Sequence, residues 1–156
     1  MKTIAKAALL ICGLSLSGAA QAQMVSAANP QSVVSAMQDA GYKAELTTDD
    51  VGDPLIKTGM DGWSVSILFY DCTDNADCKS LQFFTIFDRS EPMPAEMAVS
   101  WSTRNRFGAV GLDDEGDPSL TWDVLTGDAG IPESVFKEAL NNYDTAIARF
   151  SNYVFE

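Results

Sequence analysis

Two cysteines, Cys72 and Cys78, stand at the facing ends of two runs rich in aromatic and branched residues, Trp63 to Cys72 and Cys78 to Phe87. Five residues, Thr73-Asp74-Asn75-Ala76-Asp77, separate them. Runs of this composition read as strands, and so short a link makes them an antiparallel hairpin. If Cys72 faces Cys78, then Phe69 lies opposite Leu81, Ile67 opposite Phe83, Val65 opposite Thr85 and Trp63 opposite Phe87. Side chains alternate along a strand, so all of these share one face. Ser64, Ser66, Leu68 and Tyr70 share the other face with Ile86, Phe84, Gln82 and Ser80. One strongly apolar face and one mixed face result, and a slip of one residue would destroy both. The register thus predicts a Cys72–Cys78 disulfide that staples the hairpin end. The spacing is not C-x-x-C, which argues against a redox centre.

The N-terminus supplies a compartment in which such a bond forms. Lys2 and Lys6 precede an apolar run from Ala7 to Leu16, and Ala20-Gln21-Ala22 carries small residues at the A-x-A positions of a signal-peptide cleavage site. Cleavage after Ala22 removes Cys12 and leaves an even pair of thiols in an oxidising space. The expected organisation is a signal peptide over 1–22, a flexible lead over 23–28 and one domain over 29–156, periplasmic or secreted. An uncleaved anchor and a lipoprotein cut before Cys12 are the alternatives. Gly13, Ser15 and Ser17 interrupt the apolar run too soon for a comfortable span, and Ile11 is bulky for a lipoprotein cut. No membrane insertion is expected after cleavage.

Charge and composition exclude several functions. The chain has 22 Asp and Glu against 10 Lys and Arg, for a net charge of -12, and the cleaved segment takes two lysines with it. Such a chain repels phosphate backbones and anionic membranes, so nucleic acid is not an expected partner. Histidine is absent. That removes Ser-His-Asp and Cys-His pairs, an imidazole base and the commonest nitrogen ligand of zinc.

Along the chain, Asn29-Pro30 reads as a helix start, with Asn29 as cap. Val33, Val34, Met37 and Ala40 follow at helical spacing, and Gly41 ends that helix. Tyr42 to Leu46 and Leu55 to Thr58 are short strands, and Asp61-Gly62 is a hairpin turn. Ala95 to Arg106 reads as a helix closed by Gly108, with Met97 and Trp101 on one face. Ala109 to Asp113 and Leu120 to Leu125 make a second hairpin around Asp114-Glu115-Gly116. Pro132 opens a final helix in which Phe136, Leu140, Tyr143, Ile147, Phe150 and Val154 form one stripe. The stripe is either the seat of the helix on the sheet or a partner-helix seam. The fold class is therefore α+β: an antiparallel sheet flanked by helices, in the order helix, strands, helix, hairpin, helix.

Three segments in order, Trp101 to Gly108, Leu112 to Pro118 and Trp122-Asp123-Val124, resemble the YbjN family. The likeness extends upstream through Gly41-Tyr42, Phe69-Tyr70-Asp71-Cys72 and Cys78 to Phe83, so it covers most of the chain after the leader. Arg106-Phe107-Gly108 and Asp113 to Pro118 are its most specific parts. The chain departs from the family pattern at Ser102, where Asn is frequent, and at Gly127-Asp128-Ala129-Gly130, where paired glycines are frequent. The resemblance implies a fold similar to type III secretion chaperones and a role in sensory transduction regulation, and it carries over no well-defined enzymatic activity; no cofactor is expected. The resemblance also raises a homodimer.

Candidate sites are few. Asp113, Asp114, Glu115 and Asp117 form an acidic cluster, and Asp71, Asp74, Asn75 and Asp77 another, but neither has the spacing of a calcium loop. Trp63, Trp101 and Trp122 suit either a groove or the core. Arg104 and Arg106 stand out because basic residues are scarce; Arg106 is expected to pair with Asp113, Asp117 or Asp123. The candidate recognition patch is Trp101, Arg104, Asn105 and Arg106, together with Leu68, Tyr70 and Phe84 on the mixed sheet face. The reading is an exported, non-catalytic protein-binding module with a regulatory or chaperone-like role and an unidentified protein partner. The rivals are a periplasmic small-ligand or cation-binding protein and, more remotely, a hydrolase working with carboxylates alone.

Overall fold

The computed structural model describes residues 23–155; the expected signal peptide lies outside them. The chain runs through β1 (Met24–Val25), α1 (Pro30–Asp39), β2 (Glu45–Thr48), β3 (Pro54–Met60), β4 (Trp63–Tyr70), β5 (Ser80–Ile86), α2 (Ala95–Arg104), β6 (Ala109–Leu112), β7 (Pro118–Leu125), β8 (Ile131–Pro132) and α3 (Glu133–Phe155). Six strands form one antiparallel sheet in the order β2-β3-β4-β5-β7-β6. This is the α+β architecture expected, with three helices and an antiparallel sheet.

The central hairpin has the register that the cysteines predict: Ile67 pairs with Phe83 and Phe69 with Leu81. Val65, Ile67, Phe69, Leu81, Phe83, Thr85 and Phe87 are all buried. Cys72 and Cys78 are disulfide-bonded. Regular pairing stops at Tyr70 and Ser80 because Asp71 and Asp77 adopt left-handed backbone, with φ of 56° and 49°. Asp74 and Asn75 do the same at the tip, where Thr73 and Ala76 exchange backbone hydrogen bonds of 2.7 and 3.0 Å. Asp and Asn tolerate this conformation better than other side-chain-bearing residues, which is why the loop is built of them. Asn75 Nδ2 also donates to Val51 O at 3.1 Å and Asp53 Oδ1 at 2.8 Å, tying the loop tip to the β2–β3 turn.

The stripe of α3 is the cover of the sheet. Phe136, Leu140, Tyr143, Ile147, Phe150 and Val154 are all buried within the chain. Fully burying a large apolar side chain contributes about 1.5–3 kcal/mol, so this face is the main tie between helix and sheet. Phe83 meets Phe136 and Tyr143 edge-on, and Phe87 meets Phe150 the same way. Val33, Val34, Ala36 and Met37 of α1 complete the cover.

Several boundaries differ from expectation, each for a local reason. Residues 23–28 do not form a flexible lead. Met24 and Val25 pair with Pro132 and Ile131, and Val25 and Ala27 are fully buried. Asn29 precedes α1, with Pro30 in its first turn, but its side chain makes no capping hydrogen bond. α2 ends at Arg104 rather than beside Gly108, because Asn105 turns extended and its N–H and Nδ2 both donate to Trp101 O at 3.0 Å. Pro132 belongs to β8, and α3 starts one residue later. β3 is longer than its apolar run because it lies between two partners and continues to the Asp61-Gly62 turn.

Candidate functional site

The end of α2 and the five residues after it build a site against β7 and α3. Trp101 is buried, with its ring centroid 4.9 Å from that of Phe150 and 5.4 Å from that of Tyr153. That packing anchors the C-terminal turn of α2. Asn105 then links the helix end to α3: its Oδ1 accepts a hydrogen bond of 2.8 Å from Arg149 Nη2. The Arg149 guanidinium also lies 5.8 Å from the Trp101 ring centroid.

Phe107 follows with φ of 72°, a conformation that costs energy for a bulky side chain. The strained backbone holds an exposed aromatic ring with its centroid 5.2 Å from that of Trp122, and the Arg106 guanidinium lies 4.5 Å from the Phe107 ring centroid. Gly108 then passes so close to β7 that a Cβ there would lie 3.1 Å from Leu120 Cδ1. Close passage of the strand after α2 therefore leaves a concavity between α2, β7 and α3, of about 330 Å³.

The walls of this cavity have an unusual chemistry for so acidic a chain. Three of the four arginines, Arg104, Arg106 and Arg149, line it, and no carboxylate does. Among the described residues, none of the three forms a salt bridge. Asp117 and Asp123, both expected as partners of Arg106, are engaged elsewhere: Asp117 Oδ1 accepts from Arg89 N at 2.9 Å and Asp123 Oδ1 from Gln82 Nε2 at 2.8 Å. Asp113 Oδ1 accepts from the N–H groups of Glu115 and Asp117 at 3.0 and 2.8 Å, closing its own hairpin turn. The expected ion pair of Arg106 is thus replaced by its contact with Phe107.

The sequence-derived patch divides in two. Trp101, Arg104, Asn105 and Arg106 come together at the cavity. Leu68, Tyr70 and Phe84 lie on the opposite, helix-free face of the sheet, since Leu68 pairs with Gln82 and Phe84 with Ser66 and Thr121. There Tyr70, Ile86 and Leu125 are exposed. Phe107, Asn142 and Arg149 join the cavity although none of them belongs to the sequence-derived patch; Phe107 stands out in the sequence only for the family resemblance. Trp122, open to either a groove or the core, is partly buried and lines the cavity. The scarcity of arginine is the one signal that could have pointed to Arg149.

What the cavity can do follows from its donors. Guanidinium groups stay protonated at every accessible pH and present planar forks of N–H donors that match carboxylate and phosphate oxygens. They hold an anion but do not shuttle a proton. Thr145 is the one hydroxyl among the lining side chains, and no base accompanies it there. Among the described residues, no cluster of His, Cys, Asp or Glu has the arrangement to hold a metal ion, and no helix is long and apolar enough to cross a membrane.

The family model of YbjN, described as "Putative bacterial sensory transduction regulator", matches residues 29–156. No curated protein matches the chain.

Proposed function

The chain belongs to the YbjN family, and from that membership we propose that it is a non-catalytic regulator of the cell envelope that works by binding another protein. The observation that carries the protein-binding reading is the open, partly apolar sheet face, while the cavity, where cationic and aromatic groups converge without a nucleophile–base pair, supports its non-catalytic part. Such a site recognises and does not transform. The helix-free sheet face offers a second surface, where Leu68 and Phe84 sit half-buried beside the exposed Tyr70 and Ile86. A protein partner takes this face in the proposal, and the implied secretion-chaperone likeness supports a chaperone-like mode of holding it.

Export is part of the same proposal. It is supported by the signal-peptide pattern in the sequence of residues 1–22 and by the Cys72–Cys78 bond, which persists in oxidising compartments. Affinity capture with the oxidised protein from an envelope extract, followed by mass spectrometry, tests the reading. A reproducible, stoichiometric protein partner supports it; a clean blank contradicts it. The mass of the exported chain checks the leader, with Gln23 expected as the first residue.

The arginine-lined cavity favours a second role in the same chain, the binding of a small ligand. The two roles use opposite faces of the sheet and do not compete.

A further inference from the structure

We propose that the cavity between α2, β7 and α3 is a receptor site for a small organic anion, with a carboxylate or phosphate head held by Arg104 and Arg106 and an apolar body lying against Phe107 and Trp122. Five observations converge on it. Three of the four arginines face one cavity whose lining has no acidic side chain, in a chain with 22 acidic residues. Arg104 and Arg106 have no carboxylate partner among the described residues. Arg149 is already oriented by Asn105, which fixes the third positive charge at the cavity wall. Phe107 is exposed and held in left-handed backbone, so that its ring lies beside Trp122 instead of packing into the core. The cavity, of about 330 Å³, falls at the lower end of the roughly 300–1,000 Å³ range of small-molecule sites.

Long-range charge selects among anions. The net charge of -12 repels extended polyanions such as nucleic acid or an acidic protein surface. A compact anion feels mainly the local arginines, because bulk charge is screened over about 8–10 Å at ordinary ionic strength. Aromatic surface beside guanidinium adds affinity for a flat or apolar body through stacking and excluded water. A single acidic head on a small apolar frame is therefore the ligand chemistry that fits.

The test uses four probes on the purified oxidised protein: benzoate, phenyl phosphate, inorganic phosphate and benzyl alcohol. Calorimetry measures affinity, and two-dimensional NMR of the Trp122 indole N–H and the arginine Nε–H groups locates the probe. Saturable binding of benzoate or phenyl phosphate, with shifts at Trp122, Arg104 and Arg106, is expected, and benzyl alcohol should not bind. Benzoate alone assigns a carboxylate head, phenyl phosphate alone a phosphate head, and either outcome supports the site. Arg104→Gln with Arg106→Gln should weaken the anion about tenfold or more, which corresponds to roughly 1.4 kcal/mol or above. The melting temperature should stay unchanged, because neither side chain is buried. Phe107→Ala should weaken the aromatic anions and leave inorganic phosphate unaffected. Absence of saturable binding by every anion at millimolar concentration overturns the proposal. So does binding undiminished in the double variant. Protein capture on the opposite face is read out separately, so failure here is distinguishable from failure of the protein-binding reading.

Discussion

Tyr143 of α3 donates its hydroxyl proton to the backbone carbonyl of Leu120, 2.7 Å away in β7. The same oxygen lies 2.9 Å from Thr85 Oγ1 of β5. All three groups are buried, so one phenol joins the covering helix to two adjacent strands. The ring beside it packs edge-on against Phe83 and Trp122. Trp122 is thus braced from the core side by Tyr143 and touched from the solvent side by Phe107, which places the cavity wall on the rigid part of the fold.

Tyr143→Phe keeps this packing and removes the hydroxyl. It leaves Thr85 Oγ1 without its tyrosine partner and Leu120 O without its side-chain donor. Loss of such a buried hydrogen bond should destabilise by about 1–3 kcal/mol. Urea denaturation at neutral pH measures it, and an unchanged midpoint would remove the bond from the account.

Alkaline pH acts on the same group and on Tyr42. Burial pushes the Tyr143 phenol above the ordinary tyrosine value of 10.0. Burial, helped by its hydrogen bond to Asp144, pushes Tyr42 up to about 12. A raised folded-state value means that the stabilising contribution is fully present below pH 10 and is lost as pH rises through the folded value, which for Tyr42 is about 12. Absorbance titration should therefore show Tyr42 and Tyr143 ionising late, together with the fall in melting temperature across that window. Ionisation of all tyrosines near pH 10 in the folded protein would contradict it.

The Cys72–Cys78 bond closes a short loop, so in the chain-entropy model its loss costs about 2 kcal/mol. Cys72→Ser with Cys78→Ser should fold and melt lower. Asn75 still ties the loop to Val51 and Asp53, so the hairpin register should survive, as cross-strand nuclear Overhauser effects would report.

Gly116 sits at φ of 83°, and a Cβ there would lie 2.6 Å from Pro92 Cβ. Gly116→Ala combines a left-handed backbone with a steric clash and should destabilise by about 1–3 kcal/mol. The β6–β7 hairpin and the Pro92 loop are expected to move together. Gly127→Ala, at φ of 58° with no atom close to the added Cβ, should cost less. Equal melting temperatures for the two variants would show that the contact with Pro92 is unimportant.

The central hairpin, the second hairpin and the α3 stripe were legible because each depends on a period that neighbouring residues carry. Phe69, Ile67 and Val65 announce a face, and so do Phe136, Leu140 and Tyr143. β1 and β8 were not legible, because two-residue strands have no period and Met24 finds Pro132 only through the folded chain. α2 ends ahead of Gly108 because Asn105 closes it by its own side chain, which the more familiar stop signal of Gly108 conceals in the sequence. Trp101, Arg104, Asn105 and Arg106 were visible as a cluster within one helix turn and its exit. Arg149 and Trp122 were not visible as their neighbours, since they reach the cavity from segments distant in sequence. The positive φ of Phe107 has no sequence signature at all.

A side-by-side capture distinguishes the proposed binding of a regulatory partner on the helix-free sheet face from its absence. The purified oxidised protein, its Leu68→Ala/Tyr70→Ala/Phe84→Ala variant and its Arg104→Gln/Arg106→Gln variant are each used to capture protein from an envelope extract. All three are checked for folding by circular dichroism. The account predicts one stoichiometric partner on the first and third proteins and its loss from the triple-alanine variant. Full retention of that partner by a folded triple-alanine variant would contradict it.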